Sequence, residues 1–192
     1  MNSEELLKTF RDTGALLSGH FELRSKLHSD QYFQCAWLLQ YPLIAEKLCD
    51  ALVKKMRTSL GAALKIEGVI APAMGGIVVG HEIARALKVR SIFAEKEEGK
   101  LVLRRGFKIP KDSAFVVAED VITRGGRVQE TIDIVEKAGG RVVAVAVLVD
   151  RSGGKAKFAY PTFSLLNLEP VTYEPQQCPL CAKGIPIAHP GS

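Results

Sequence analysis

Residues 114–140 constrain the fold of this chain most strongly, because three recognisable local patterns follow one another there. Residues 114–118 form a continuous apolar run, which is typical of a strand buried on both faces of a parallel sheet. The carboxylates of Glu119 and Asp120 come next, where that strand should end. A glycine turn then leads into a segment whose apolar residues recur at helical spacing. A buried strand, a turn and a helix in this order predict an α/β fold.

The turn after the acidic pair has the properties of an anion site. The first amides of a helix lack partners within the helix, its dipole places positive charge there, and glycine allows close approach to a phosphate. The carboxylates of Glu119 and Asp120 would repel phosphate, but they can accept hydrogen bonds from vicinal hydroxyls. A ribose phosphate satisfies both, with its diol on the acidic pair and its 5-phosphate on the amides of residues 123–127. The alternative is an ordinary strand-to-helix turn with solvated charges.

Two common nucleotide-binding motifs, the Walker loop and Gly-x-Gly-x-x-Gly, are absent from this segment. The order apolar strand, acidic pair, apolar pair and Thr-x-Gly-Gly resembles instead the phosphoribosyl pyrophosphate (PRPP) loop of type I phosphoribosyltransferases. The resemblance implies catalytic roles for Glu119 and Asp120. It also implies that PRPP contacts Glu119, Asp120, Val121, Ile122, Thr123, Arg124, Gly125, Gly126 and Arg127. Arg124 and Arg127 stand where this loop usually has small residues, and they could contact the 5-phosphate or pack at a subunit interface.

A second strand, glycine loop and helix lie earlier in the chain. Residues 66–71 predict a short buried strand, and Pro-Ala-Met-Gly-Gly at 72–76 leads into a helical pattern. Two anion sites suit a ligand with phosphate at both ends, although this loop alone could be a packing turn. The family resemblance implies that Met74, Gly75 and Gly76 bind the pyrophosphate, and many members carry Lys at the position of Gly75.

Residues 94–111 carry charges of alternating sign, with glycines on both sides of a short apolar run. This pattern predicts a mobile two-stranded flap with cationic tips, or alternatively a solvated hairpin. The segment resembles the catalytic loop of orotate phosphoribosyltransferases, which closes over the neighbouring subunit's active site. The resemblance implies a homodimer and a catalytic role for Lys96. It also implies PRPP contacts from Glu95, Lys96, Lys100 and Arg104.

Residues 19–35 alternate in polarity around a Ser-Asp turn and predict a hairpin. The pattern His-Phe-x-Leu-x-Ser-x-Leu-His-Ser-x-x-Tyr-Phe resembles the hood of orotate phosphoribosyltransferases, where the base is held. The resemblance implies that Lys26, Tyr32 and Phe33 contact orotate, with Lys26 standing where the family usually has Gly. Tyr32 and Phe33 could instead be core residues of the hairpin, and His20 and His28 are expected to be surface histidines.

Arg151 follows the apolar run 142–149, which predicts another buried strand. An arginine at the carboxyl end of a parallel strand lies in the ligand crevice, and its planar fork pairs with a carboxylate bidentately. The family resemblance implies that Arg151 and Thr123 contact orotate, which carries a carboxylate. The alternative is a surface arginine at a turn.

The whole chain is expected to form a single phosphoribosyltransferase domain, 1–192. Its fold class is α/β, with a parallel sheet, helices on both faces and a small N-terminal hood, as in type I phosphoribosyltransferases. The hood is expected mainly from residues 14–40 and 155–192, and the flexible flap from 94–111. Further helices are predicted at 3–12 and 42–60.

Composition narrows the class of partner. The net charge of +5 over 192 residues suits a polyanionic small ligand. The sequence contains no block of five or more basic residues, which would have favoured nucleic acid as the partner. The N-terminal sequence is unlike a signal peptide, and the apolar run 142–149 is too short to span a bilayer. A cytoplasmic protein that binds neither nucleic acid nor membrane is therefore expected.

The chain has four cysteines, of which Cys178 and Cys181 form a Cys-x-x-Cys pair. This spacing is half of a zinc ribbon, whose second half is missing, and His189 is a candidate third ligand. The favoured interpretation is a pair of reduced thiols in a C-terminal loop.

The activity implied by the resemblance is transfer of the phosphoribosyl group from PRPP to orotate, with Mg2+ held mainly by PRPP. Two alternatives remain open at this point. A purine phosphoribosyltransferase would accept hypoxanthine or adenine and leave Arg151 without a carboxylate. A PRPP- or nucleotide-sensing RNA-binding regulator would need a concentrated basic face, whereas the sequence shows scattered pairs such as Lys54-Lys55.

Overall fold

The computed structural model describes residues 3–23, 25–61, 63–169 and 171–190. The helices in these ranges are α1 (Ser3–Asp12), α2 (Ala36–Leu39), α3 (Pro42–Leu60), α4 (Gly75–Leu87), α5 (Gly126–Lys137) and α6 (Pro179–Ala182), with a 3-10 turn at Pro175–Gln177. The strands are β1 (Leu16–Glu22), β2 (His28–Phe33), β3 (Gly68–Pro72), β4 (Arg90–Glu97), β5 (Lys100–Leu103), β6 (Ala114–Ile122), β7 (Arg141–Asp150), β8 (Thr162–Asn167) and β9 (Thr172–Tyr173). None of the helices in the described ranges has the length and apolarity needed to cross a bilayer.

The chain divides into two compact units. The hood unit comprises Met1–Gln40 and Glu169–Ser192, and the core unit comprises Tyr41–Leu168. The assignment of 1–192 to one domain, with a hood at 14–40 and 155–192 and a mobile flap at 94–111, stays a prediction.

The described part of the core unit is built on a six-stranded sheet in the order β5-β4-β3-β6-β7-β8. In this order, β4, β3, β6, β7 and β8 run parallel to one another, whereas the edge strand β5 pairs antiparallel with β4. Strands β3 and β6 are buried along nearly their whole length, as their continuous apolar runs predict. The predicted α/β class is confirmed, with β5 as an antiparallel edge strand.

Helices cover both faces of this sheet, as predicted. On one face, Ile70 and Val117 belong to the same buried cluster as Val128 and Ile132 of α5. On the other face, a Cβ added at Gly80 of α4 would lie only 2.9 Å from the Cβ of Ala71. Ile70 and Ala71 are consecutive in β3 and therefore point to opposite faces. Helix α3 packs against α4 on this second face.

The described part of the hood unit contains a three-stranded antiparallel sheet in the order β1-β2-β9. The predicted hairpin is confirmed, and its strands pair from Leu16 with Phe33 to Glu22 with His28. The C-terminal tail lies beside this hairpin, because β9 pairs with β2 and Ala188 forms a bridge with Phe21.

The expectation that His20 and His28 are surface histidines is wrong. Their side chains are only 2% and 4% exposed, respectively. His20 is covered because the backbone of the distant tail reaches it, with the Ile185 carbonyl 2.7 Å from its ring nitrogen. No local pattern within residues 19–35 indicates that contact.

Candidate active site

The expectation that the strand ends at Glu119 and Asp120 is wrong, because β6 stays paired with β7 as far as Ile122. The acidic pair therefore lies inside the strand, among its last four residues. Glu119 is only 7% exposed, and Asp120 is half-buried. Glu119 Oε1 accepts a hydrogen bond of 3.0 Å from the Asp120 amide, and Asp120 Oδ1 accepts one of 2.9 Å from the Val121 amide. Burial raises the pKa of the Glu119 carboxyl well above its ordinary value, and the negative charge of Asp120 raises it further. A buried carboxyl perturbed in this way near the carboxyl end of a parallel strand marks a candidate functional site.

The second glycine loop packs directly on the acidic pair. Gly75 and Gly76 begin α4, and a Cβ at Gly75 would lie 2.9 Å from Asp120 Oδ2. A Cβ at Gly76 would lie 3.0 Å from Glu119 Oε1. Met74, which precedes them, is 83% exposed, and the peptide bond between Ala73 and Met74 is cis. The backbone at the start of α4 therefore approaches both carboxylates as closely as glycine allows.

A pocket of about 270 Å³ opens at the start of α5. Gly125 caps this helix with a φ of 81°, and a Cβ there would lie 2.9 Å from the Phe158 ring. Glycine is thus required for both conformation and space. Arg124 and Arg127 are exposed at the rim. The lining residues are Glu119, Val121, Ile122, Thr123, Arg124, Gly125, Gly126, Arg127, Val128 and Glu130. Helix amides and two arginines beside a buried carboxyl suit a ligand with a phosphate and hydroxyls.

Glu130 is a pocket residue that the sequence reasoning missed. Its half-buried side chain lies one helical turn beyond Gly126, and its Oε2 accepts a hydrogen bond of 3.1 Å from the Leu101 amide of β5. This contact joins the flap strand to the pocket wall. The spacing of four residues from the glycine turn is the one signal in the sequence that could have identified it.

The flap hairpin consists of β4 and β5 and carries exposed cations. Arg105 forms a bidentate pair with Glu95, at 2.8 Å for both bonds, and lowers the pKa of that carboxyl. Arg104 lies 3.3 Å from Glu97, and Lys96 and Lys100 are exposed. Exposed ion pairs are weak because water screens the two charges, so these arginines can exchange partners when an anionic ligand arrives.

Arg151 and Thr123 follow the ends of neighbouring strands. Ile122 of β6 and Asp150 of β7 are paired in register, and the Arg151 amide donates a 2.8 Å hydrogen bond to the Ile122 carbonyl. Asp150 Oδ1 accepts a hydrogen bond of 2.8 Å from the Ser152 amide, which shapes the turn after β7. Arg151 therefore follows the carboxyl-terminal end of β7, beside the end of β6 that carries the acidic pair.

Comparison with known proteins identifies the family. Residues 38–182 match the family described as phosphoribosyl transferase domain. The orotate phosphoribosyltransferase of Carboxydothermus hydrogenoformans is 53% identical over 190 residues, which cover 98% of this chain and 97% of that protein. This chain belongs to the orotate phosphoribosyltransferase family.

A further relative and two solved structures are also similar to this chain. The orotate phosphoribosyltransferase of Caldicellulosiruptor bescii is 51% identical over 192 residues, covering 100% of this chain and 98% of that protein. The solved orotate phosphoribosyltransferase of Aeropyrum pernix has a TM-score of 0.65 at 25% identity, covering 84% of this chain and 93% of that chain. An adenine phosphoribosyltransferase from Thermoanaerobacter pseudethanolicus has a TM-score of 0.58 at 16% identity, covering 72% of this chain and 88% of that chain. The adenine enzyme thus shares the fold.

The structure describes the surroundings of Lys26 and Gly75, where the resemblance leads us to expect other residues in the family. Lys26 has a φ of 68°, the left-handed conformation that glycine adopts readily, and its ammonium group pairs with Glu22 at 2.7 Å. Lys26 therefore has a backbone conformation that glycine would adopt without strain. At Gly75, any side chain would meet the carboxylate of Asp120 in its present position.

The remaining candidate base contacts lie within the hood unit. The Phe33 ring is buried and packs edge-on against Phe10 at 6.1 Å between centroids. The Tyr32 ring is tilted against Phe21 at 5.7 Å. These contacts give both residues a packing role in the hairpin. Contact of Lys26, Tyr32 and Phe33 with orotate stays a prediction.

Proposed function

We propose that this protein transfers the 5-phosphoribosyl group of PRPP to orotate, giving orotidine 5'-monophosphate and pyrophosphate in pyrimidine biosynthesis. The observation that carries the proposal is the acidic pair of buried Glu119 and half-buried Asp120, on which the second glycine loop packs. Full-length relatives at about half identity are orotate phosphoribosyltransferases, which supports the same reaction.

The ribose of PRPP is bound through its hydroxyls and its 5-phosphate. In the proposed complex, the 5-phosphate occupies the pocket formed by residues 123–127, and the diol meets Glu119 and Asp120. Because its pKa is raised, the Glu119 carboxyl retains a proton to higher pH and can donate a hydrogen bond to a ribose hydroxyl. The Asp120 carboxylate accepts one. Negative charge beside the ring stabilises the oxocarbenium-like transition state as the bond to pyrophosphate breaks.

The pyrophosphate leaves between the second loop and the flap. Amides at the start of α4, around Met74, Gly75 and Gly76, offer it hydrogen bonds. Lys96, Lys100 and Arg104 supply positive charge from the flap, with Glu95 held by Arg105 until the flap moves. Closure also excludes water, which would otherwise hydrolyse PRPP.

The donor set fits the Mg2+ ion that the family generally uses with PRPP. The Asp120 carboxylate offers oxygen atoms, and oxygen ligands are what Mg2+ takes. We propose that PRPP carries most of the coordination, with the Asp120 carboxylate available to the ion or to the ribose hydroxyls beside it. When bound, the ion neutralises charge that develops on the leaving pyrophosphate.

Orotate is recognised through its carboxylate. The guanidinium of Arg151 can pair bidentately with that group, and the Thr123 hydroxyl follows the adjacent strand end. The new bond joins N1 of orotate to C1 of the ribose, with loss of the N1 proton. A homodimer in which the flap completes the neighbour's site is part of the same proposal.

The direct experiment is a panel of bases with PRPP and Mg2+, in which pyrophosphate release is measured. We expect release with orotate and none with adenine or hypoxanthine. Release with a purine instead of orotate would favour the purine phosphoribosyltransferase alternative. Tight, steeply salt-dependent RNA binding without any release would favour the regulatory alternative.

A further inference from the structure

Four potential metal ligands converge in the hood unit, outside the proposed active site. They are two histidines of the β1–β2 hairpin and two cysteines of the tail, His20, His28, Cys178 and Cys181. Their ligand atoms all lie within 4.8 Å of one another. Both histidines and Cys178 are buried, while Cys181 is exposed. Such a concentration of imidazole and thiol groups around one point is the donor set of a structural zinc site.

The distances between these atoms match a tetrahedral ion. Bonds of about 2.05 Å to nitrogen and about 2.3 Å to sulfur put two nitrogens about 3.3 Å apart, and nitrogen and sulfur about 3.6 Å apart. His20 Nε2 and His28 Nδ1 are separated by 3.0 Å. Cys178 Sγ lies 3.5 Å from His20 Nε2, and Cys181 Sγ lies 3.7 Å from it and 3.4 Å from His28 Nδ1.

The tautomer of His20 is set for metal binding. Its other ring nitrogen, Nδ1, lies 2.7 Å from the Ile185 carbonyl oxygen. A carbonyl only accepts, so Nδ1 carries the proton and Nε2 presents its lone pair toward Cys178, Cys181 and His28. A histidine that binds a metal through one ring nitrogen commonly donates a hydrogen bond from the other nitrogen to a backbone carbonyl.

The backbone around the cluster explains how distant residues meet there. Cys178 caps the short helix α6, and Cys181 lies within it, which gives the Cys-x-x-Cys pair its turn. The tail is attached on both sides of this turn, by pairing of Tyr173 with His28 and by a 2.8 Å hydrogen bond from the Ala188 amide to the His20 carbonyl.

We propose that His20, His28, Cys178 and Cys181 form a structural Zn2+ site that fastens the C-terminal tail to the β1–β2 hairpin. Four protein ligands leave no open position, so the ion has no catalytic role. Two thiolates balance its charge. This proposal differs from the interpretation of Cys178 and Cys181 as a pair of reduced thiols in a C-terminal loop. It takes the other two ligands from the hairpin histidines instead of His189.

Metal titration of the full-length reduced protein tests this site. After dialysis against a chelator, we expect one equivalent of Zn2+ per chain to restore the melting temperature lost on removal. Co2+ in its place should give the visible bands of tetrahedral cobalt and a thiolate charge-transfer band. Zn2+ should also protect exposed Cys181 from alkylation, as followed by mass spectrometry.

Cys181→Ser is the informative variant, because this side chain is exposed and the change should leave the apo protein folded. Loss of a group that only hydrogen-bonds to a metal ligand typically weakens metal affinity 10–100-fold. Loss of a ligand itself should therefore lower the Zn2+ affinity about 100-fold or more. His189→Gln, in the same tail, is the matched control and should keep full affinity. Absence of tetrahedral cobalt bands in the parent protein, or bands unchanged by Cys181→Ser, would overturn the proposal.

Discussion

At the scale of single residues, Glu119 connects the proposed chemistry to stability. Its folded-state pKa is raised, so the native protein holds a proton that the unfolded chain releases once pH exceeds the ordinary value of 4.5. Stability should therefore fall as pH rises from that value toward the folded pKa. Glu119→Gln removes the ionisation, and we expect it to be more stable than the parent at pH 8 by about 1 kcal/mol or more. Urea unfolding should show a smaller gain at pH 5.

The exposed Glu4→Gln is the control for the chemical change itself. A gain for Glu119→Gln that is equal at both pH values would argue against a buried, proton-holding carboxyl. Because the same variant should lose activity, a rise in stability with a fall in turnover is the combined signature expected of a functional carboxyl.

Asp120 is the second residue-scale test. Asp120→Asn keeps the shape of the side chain but removes the negative charge beside the developing cation, so kcat should fall about 100-fold or more. Asp133→Asn makes the same chemical change on α5, where the side chain bonds only Gln129 among the contacts described, and should retain activity. Near-parental turnover of Asp120→Asn with an intact fold would remove the role assigned to the acidic pair.

At the scale of elements, the start of α4 is proposed to bind pyrophosphate through its backbone. A methyl group at position 75 would lie 2.9 Å from Asp120 Oδ2, so it must displace either the loop or the carboxylate. We expect Gly75→Ala to raise the KM for PRPP about tenfold while leaving the melting temperature nearly unchanged. Val78→Ala, on the exposed side of the same helix, should leave KM unaltered. An unchanged KM in Gly75→Ala would show that this backbone does not contact PRPP.

At the scale of the whole molecule, the sequence predicts those structural features that depend on residues within one segment, and it does not predict those that depend on distant segments. The strand–turn–helix at 114–140 and the helix at 42–60 were predicted because their hydrophobic periods lie within the segment. The burial of His20 and His28 could not be predicted from the sequence, because it depends on tail residues more than 150 positions away. Strand β9 and helix α6 are too short to show a period. Glu130 was missed because its partner, Leu101, lies on another element.

The proposed homodimer also belongs at this scale. If the flap of one subunit completes its neighbour's site, Lys96→Ala and Asp120→Asn damage opposite halves of each site. Mixing the two inactive variants should then restore about a quarter of the parental activity, because half of the dimers are mixed and carry one intact site each. Activity that stays at the level of the separate variants after subunit exchange would show that each chain builds its site alone.

The central claim is that the acidic pair and the glycine turn hold one ribose phosphate together. A crystal structure with orotidine 5'-monophosphate measures this directly. We predict the 5'-phosphate on the amides of residues 123–127 and both ribose hydroxyls within hydrogen-bond distance of Glu119 and Asp120. A nucleotide bound elsewhere, with this pocket empty, would contradict the claim.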